Sequence, residues 1–179
     1  VRNAYFMKRI YLPLTKDARV KLRAGDELLL CGKLYAARDM AHKRFDNALK
    51  KNQSLPLDLR DNLIYYCGPT PARPGAVIGS CGPTTSKRMD GFTPRLLKEG
   101  LAGSIGKGRR CQDVIEAIKR YKAVYLVTVG GAGAYLSKRI QKARIIAYKD
   151  LGCEGLYEFY VKDFPVTVAI DSKGRSIFK

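Results

Sequence analysis

A chain of 179 residues is long enough to bury a core and suits one domain. At 46% hydrophobic and 28% charged residues it reads as globular rather than disordered, and no apolar run approaches the roughly 20 residues of a membrane span. The charge is lopsided, with 34 Lys and Arg against 16 Asp and Glu for a formal net charge of +18. Such a surface attracts anionic partners, but the cations are spread along the chain without a basic block, an RNP1-like aromatic strand or zinc-finger spacing, which argues against nucleic acid.

In chain order, the start lacks the long apolar core of a secretion signal, and Met7 reads as an alternative start with residues 1–6 as an extension. "KRIYLPL" is a first strand, and "DELLLCGKLYAARD" a buried strand ending in a polar turn. "ARDMAHKRFDNALKKN" is helical, with Ala41, Phe45, Ala48 and Leu49 on one face. A polar loop follows. "LIYYCG" and "GAVIGSCG" read as strands on either side of the Pro/Gly turn "PTPARPG".

A helix is expected to start within "GPTTSKRMD" and to continue or restart at "DGFTPRLLKEG", where Pro94 suits a first turn. "AGSIGKG" is a strand leaving into a glycine-flanked loop. "CQDVIEAIKRYK" is an amphipathic helix with Val114, Ile118 and Tyr121 inward. "AVYLVTV" is a buried strand, "GGAGAYLSKRI" a glycine turn into a helix, and "ARIIAY" and "FPVTVAI" are strands, the last alternating Val166, Val168, Ile170. "DSKG" is a turn. Strands interleaved with helices indicate an α/β fold. The five cysteines, Cys31, Cys67, Cys81, Cys111 and Cys153, are odd in number and without CxxC spacing, so free packed thiols in a reducing cytoplasm are expected.

Three stretches carry candidate chemistry. In "GPTTSKRMD", Thr84 or Thr85 suits a helix N-cap. Thr84 and Arg88, four apart, would share a helix face and close a hydroxyl and a guanidinium fork on one carboxylate. The alternative is an ordinary capped helix. In "ARDMAHKR", Arg38 lies just past a strand end and His42 is the chain's single histidine, a residue more often structural than catalytic when alone. In "SIGKGRR", Lys107 sits between Gly106 and Gly108, where backbone approaches a ligand closely, but the phosphate-loop pattern fails at both ends. Nor does "VTVGGAGAYL" complete a dinucleotide fingerprint. Asp90 and Thr85 are further candidates beside His42. These groups can hold a dianion, yet few of them can break bonds unaided.

The segments "LYAARDMAHKR", "IYYCGPTPARPGAVIGSCGPTTSKRMD", "IGKG", "AVYLVTVGGAGAYLSKRI" and "AYKDLGCEGLYEFYVKDFPVTVAIDSKG" together resemble the β subunit of iron–sulfur-dependent class I fumarate hydratases and L-tartrate dehydratases, and the C-terminal domain of single-chain class I fumarases. The likeness covers nearly the whole chain. It implies the swivelling β/β/α domain of these hydro-lyases, over residues 1–179 as one unit. It also implies a separate α subunit carrying a 4Fe–4S cluster, with no cluster on this chain, and a C4-dicarboxylate substrate. It places Arg38, Thr84, Arg88 and Lys107 at that substrate, with Thr84 assisting proton transfer at carbon. Lys87 departs from the small residue of many relatives. The expected activity is reversible hydration of fumarate to malate in the cytoplasm, with L-tartrate dehydration as the runner-up and a non-enzymatic anion- or nucleic-acid-binding module as the rival from another class.

Overall fold

The computed structural model describes residues 7–178, so the expected extension over residues 1–6 lies outside it. The first five strands are β1 (Lys8–Tyr11), β2 (Glu27–Ala36), β3 (Leu63–Tyr65), β4 (Gly103–Gly106) and β5 (Val124–Val127). Alternate residues of β2, β3 and β5 enter two separate cores. Leu34, Leu63, Tyr65, Val124 and Leu126 enter one, and Tyr35, Ile64 and Tyr125 the other. That period of two is the strand's own geometry, and burial of both faces explains why these segments read as unbroken apolar runs.

β1 to β5 pair in parallel along the order β1-β2-β3-β4-β5. β6 (Ile140–Ala147) and the long β7 (Leu156–Ile170) complete the sheet in antiparallel fashion. β7 pairs with β2 along nearly its whole length on one edge, and on the other with β6 first and β5 afterwards. The ladders β2–β3–β4–β5–β7–β2 therefore form a closed cycle. Both long strands bend at one level. The β2–β7 register shifts between Leu30 and Gly32, where Gly32 has φ 119° and Asp163 opposite has φ 52°. A bulge with a left-handed residue lets a strand turn from one sub-sheet into the next.

The helices α2 (Asp39–Lys50), α3 (Thr93–Lys98) and α4 (Gln112–Tyr121) cover the second core. They contribute Ala41 and Phe45, Leu96 and Leu97, and Val114, Ala117 and Ile118. Leu49 and Tyr121 pack at its margin, and Pro94 stands in the first turn of α3 as expected. Short helices α1 (Lys16–Arg19) and α5 (Gly133–Ser137) are the remaining α-helical elements among the described residues.

Two expectations are corrected. "GAVIGSCG" is not a strand but an irregular loop, exposed over residues 71–77. β3 already pairs with β2 on one edge and β4 on the other, so its neighbourhood holds no free ladder. The helix expected at residues 82–88 is a single 3₁₀ turn, Ser86–Met89, and Thr84 lies before it.

Close backbone packing at β4 gives a first prediction. A Cβ on Gly103 would run into the main-chain carbonyl of Val124 on the neighbouring strand, not into a movable side chain. Gly103→Ala should lower stability by about 1–3 kcal/mol, the range for overpacking. A shift of the urea midpoint at unchanged slope checks it.

Candidate functional site

The C-terminal ends of β2, β3 and β4 bring the cationic motifs to one rim. β2 runs out through Ala36 into Arg38, an extended residue (φ −133°) at the start of α2 with no side-chain cap bond. Arg38 lies against Gly68, just past the end of β3, where a Cβ would stand 2.8 Å from its Cδ. The 3₁₀ turn that carries Arg88 is anchored beside it. The Thr84 N–H donates to Tyr66 O at 2.6 Å, and the Ser86 N–H to Lys107 O at 3.0 Å. Thr85 and Lys107 form a parallel bridge. Lys107, exposed, follows β4, with its stem close to Gly130 after β5. In α/β folds, open or closed, ligands favour this rim, outside the carboxyl ends of parallel strands.

Arg38 and Arg88 meet through a residue that sequence reasoning missed. Asp39 accepts from Arg38 Nε at 3.1 Å and from Arg88 Nε at 2.8 Å, using its two oxygens. Glu154 adds a contact to Arg38 Nε at 3.2 Å and accepts from the Met40 N–H at 3.2 Å. Burial works against charge on Asp39, but its own backbone N–H and the two guanidiniums prevail and hold the carboxyl below its usual range. Both arginines are thus gripped by their Nε edges. Their terminal nitrogens make no hydrogen bond among the described residues, and a pair of such forks suits carboxylates.

The other candidates differ in burial. Thr84 is half-buried and Thr85 exposed. Their hydroxyls do not cap the turn, which corrects the N-cap expectation: a one-turn 3₁₀ segment ending in a buried Met89 leaves no α-helical N-terminus to cap. Asp90 is the buried partner of Arg110, with Nε–Oδ1 at 2.6 Å and Cys111 N–H to Oδ2 at 2.8 Å. Arg110 also donates to Ser104 Oγ at 3.0 Å and Thr93 Oγ1 at 2.6 Å. It lies over the Tyr66 and Tyr125 rings at 5.4 and 4.9 Å. Through Arg110 this buried polar knot joins Asp90, just past the Ser86–Met89 turn, to Ser104 on β4 and Thr93 on α3.

His42 is completely buried, edge-on to Tyr66 and Phe45 at 5.2 and 5.5 Å. Its Nδ1 lies 2.9 Å from Arg38 O. A carbonyl only accepts, so Nδ1 carries the proton and Nε2 is a bare acceptor without a partner. Burial, first, pushes the His42 pKa down to about 4, against the pull of the Arg38 carbonyl. The folded pKa is below the unfolded value of about 6.5. Stability linked to His42 is therefore present in full above about pH 6.5 and is lost as pH falls toward 4, a span of order 3 kcal/mol. His42→Gln should flatten that slope in denaturation midpoints between these pH values, whatever its effect at neutral pH.

A wide groove lies elsewhere, lined by Lys50, Arg95, Asp113, Glu116 and Arg120 among others, and contains none of Arg38, Thr84, Arg88 or Lys107. Chemistry, not volume, marks the rim. Among the described residues no group of three or more His, Cys, Asp or Glu side chains is placed to hold a metal ion, and no helix is long and apolar enough to cross a membrane.

An α/β sheet presents guanidiniums at the carboxyl ends of its parallel strands, an arrangement whose chemistry suits anions. Residues 4–179 match the family described as Fumarase C-terminus, and the chain belongs to that family. It is 36% identical over 179 residues to a chain of Methanocaldococcus jannaschii provisionally named L(+)-tartrate dehydratase subunit beta, covering 97% of this chain and 92% of that one. It is 35% identical over 156 residues to the aerobic class I fumarate hydratase of Salmonella typhimurium, and 34% identical over 156 residues to fumarate hydratase 2 of Leishmania major. These alignments take in 85% and 86% of this chain but 27% and 28% of the fumarate hydratases. The chain thus spans about a quarter of the length of those relatives.

Proposed function

We propose that this chain is the substrate-clamping β module of a two-component hydro-lyase that interconverts fumarate and malate in the cytoplasm, working with a separate α subunit. The carrying observation is the Arg38–Asp39–Arg88 arrangement, two guanidiniums fixed by one carboxylate with their terminal nitrogens unengaged. Arg38 and Arg88 grip the carboxylates of the C4 diacid, and Lys107 adds charge from the neighbouring loop. We assign to the Thr84 hydroxyl, on the segment leading into the turn that carries Arg88, a part in proton transfer at carbon, a modest role because a threonine is a weak base unaided. The whole chain acts as one unit, the swivelling β/β/α domain of this enzyme class, and closes over the partner's site.

The described residues do not fit a 4Fe–4S cluster. No three candidate ligands converge, and Cys67 and Cys81 point into an apolar core. We assign the cluster to the α subunit.

A second reading, L-tartrate dehydration, is favoured by one observation: the relative matched over nearly the full length of both chains bears a tartrate dehydratase name. Co-expression with candidate α chains, followed by anaerobic assay on fumarate, malate and L-tartrate, decides between them. Turnover of fumarate and malate supports the first reading and turnover of tartrate alone the second. Inactivity of every active-site-competent assembly, with salt-sensitive RNA binding by the chain itself, would sink both.

A further inference from the structure

Cys67 and Cys81 lie 14 residues apart in sequence, yet their sulfurs are 2.9 Å apart. Both side chains are buried. Their backbones are pinned. Cys67 N–H donates to Tyr65 O at 3.0 Å and Cys81 N–H to Gly133 O at 3.1 Å. The Tyr65 hydroxyl donates to Cys81 O at 2.6 Å. The sulfurs are thus held face to face by fixed main chain on both sides, rather than by chance rotamers.

The connecting loop is different in character. Residues 71–77 are exposed, and the loop is closed at its neck by Thr70 and Ser80, through Thr70 N–H to Ser80 O at 3.0 Å and Ser80 N–H to Thr70 Oγ1 at 2.8 Å. A segment with few buried contacts and a two-bond neck opens more readily than the strands beside it. Opening it uncovers the pair to a small solute.

We infer that Cys67 and Cys81 are an oxidation site, a dithiol that hydrogen peroxide converts into one intramolecular disulfide. One thiol loses its proton and its sulfur attacks a peroxide oxygen. The O–O bond breaks, a sulfenic acid forms and one water leaves. The second thiol attacks that sulfur, the S–O bond breaks, a second water leaves and the S–S bond forms. Two thiols give up two electrons and two protons, and the peroxide is reduced to two waters. Burial, and then the hydrogen bond to Cys81, raises the Cys67 pKa, so the closed loop keeps the Cys67 thiol protonated and slow. The reaction proceeds through the opened loop. The second step then outpaces further oxidation because the partner sulfur is already in place. The bond would tie the end of β3 to the residue three positions before Thr84.

The test uses the full chain. It is treated with hydrogen peroxide, then denatured, alkylated and digested, and the cysteine peptides are mapped by mass spectrometry. The expected result is one predominant link, Cys67 to Cys81, with two of the five thiols lost and both recovered on treatment with dithiothreitol. Cys81→Ser should abolish the link and leave a sulfenic acid at Cys67 that a dimedone-type probe traps. Recovery of Cys67 and Cys81 as free thiols while the exposed Cys153 is oxidised would overturn the inference. So would links that pair either residue with Cys31, Cys111 or Cys153. The wild-type map decides even if the serine variant does not fold.

Discussion

Replacing Asp90 by alanine is expected to cost the fold about 3–5 kcal/mol, a large part of the roughly 5–15 kcal/mol that holds a typical domain together. The Arg110 side chain is 0% exposed and Asp90 only 10%. Without the carboxylate, the guanidinium is left charged among Tyr66, Tyr125, Ser104 and Thr93. Hydroxyls and ring faces soften that but do not neutralise it, and Cys111 N–H loses its acceptor as well. The direction depends on which partner is removed. Replacing both by apolar residues of similar volume should recover much of the loss, because no orphan charge remains. Urea denaturation of the single and double variants measures this. A loss near zero for Asp90→Ala would mean that water reaches Arg110.

The second large effect is on activity. Under the diacid reading, Arg88→Ala in the assembled enzyme should lower kcat/KM by roughly a hundredfold, the loss of charge-assisted bonds worth about 1.5–3 kcal/mol. Arg88→Lys keeps the charge and should still lose about tenfold, because an ammonium cannot reproduce the planar fork that receives both Asp39 and a carboxylate. The exposed Lys87 beside it serves as the control. Lys87→Ala, which alters charge without touching Asp39, should change kcat/KM far less. Equal effects at the two positions would show that bulk charge, not the fork, recruits the substrate.

Much of this architecture is legible in the sequence because its signals are local. The apolar runs at β2, β3 and β5 and the alternation of Val166, Val168 and Ile170 match the strands found. The motifs bearing Arg38, Thr84, Arg88 and Lys107 stand on connections at one end of those strands. What was not legible depends on distant partners. The apolar triplet Ala76-Val77-Ile78 looks like a strand, but strand formation needs an open ladder, and β4 already occupies the edge beside β3. Asp39 reads as an ordinary acid in the first turn of a helix. Its role as bridge appears only when the Ser86–Met89 turn, 49 residues on, delivers Arg88 to it.

The closed cycle of ladders has a mechanical consequence. In an open sheet, outer strands can fan apart and widen a crevice at their ends. Here the strands that launch Arg38, Gly68 and Lys107 belong to a hoop closed by β7, and none can splay without tearing a row of main-chain bonds. The rim is dimensionally fixed. Under the diacid reading, accommodation of a longer or bulkier substrate has to come from the connecting loops or from rotation of the whole body against the proposed α subunit. Amide exchange should accordingly be slowest in β2–β5 and the flanking half of β7, and unresponsive there to added diacid, with any ligand-induced protection confined to the segments around residues 68–85 and 107–109.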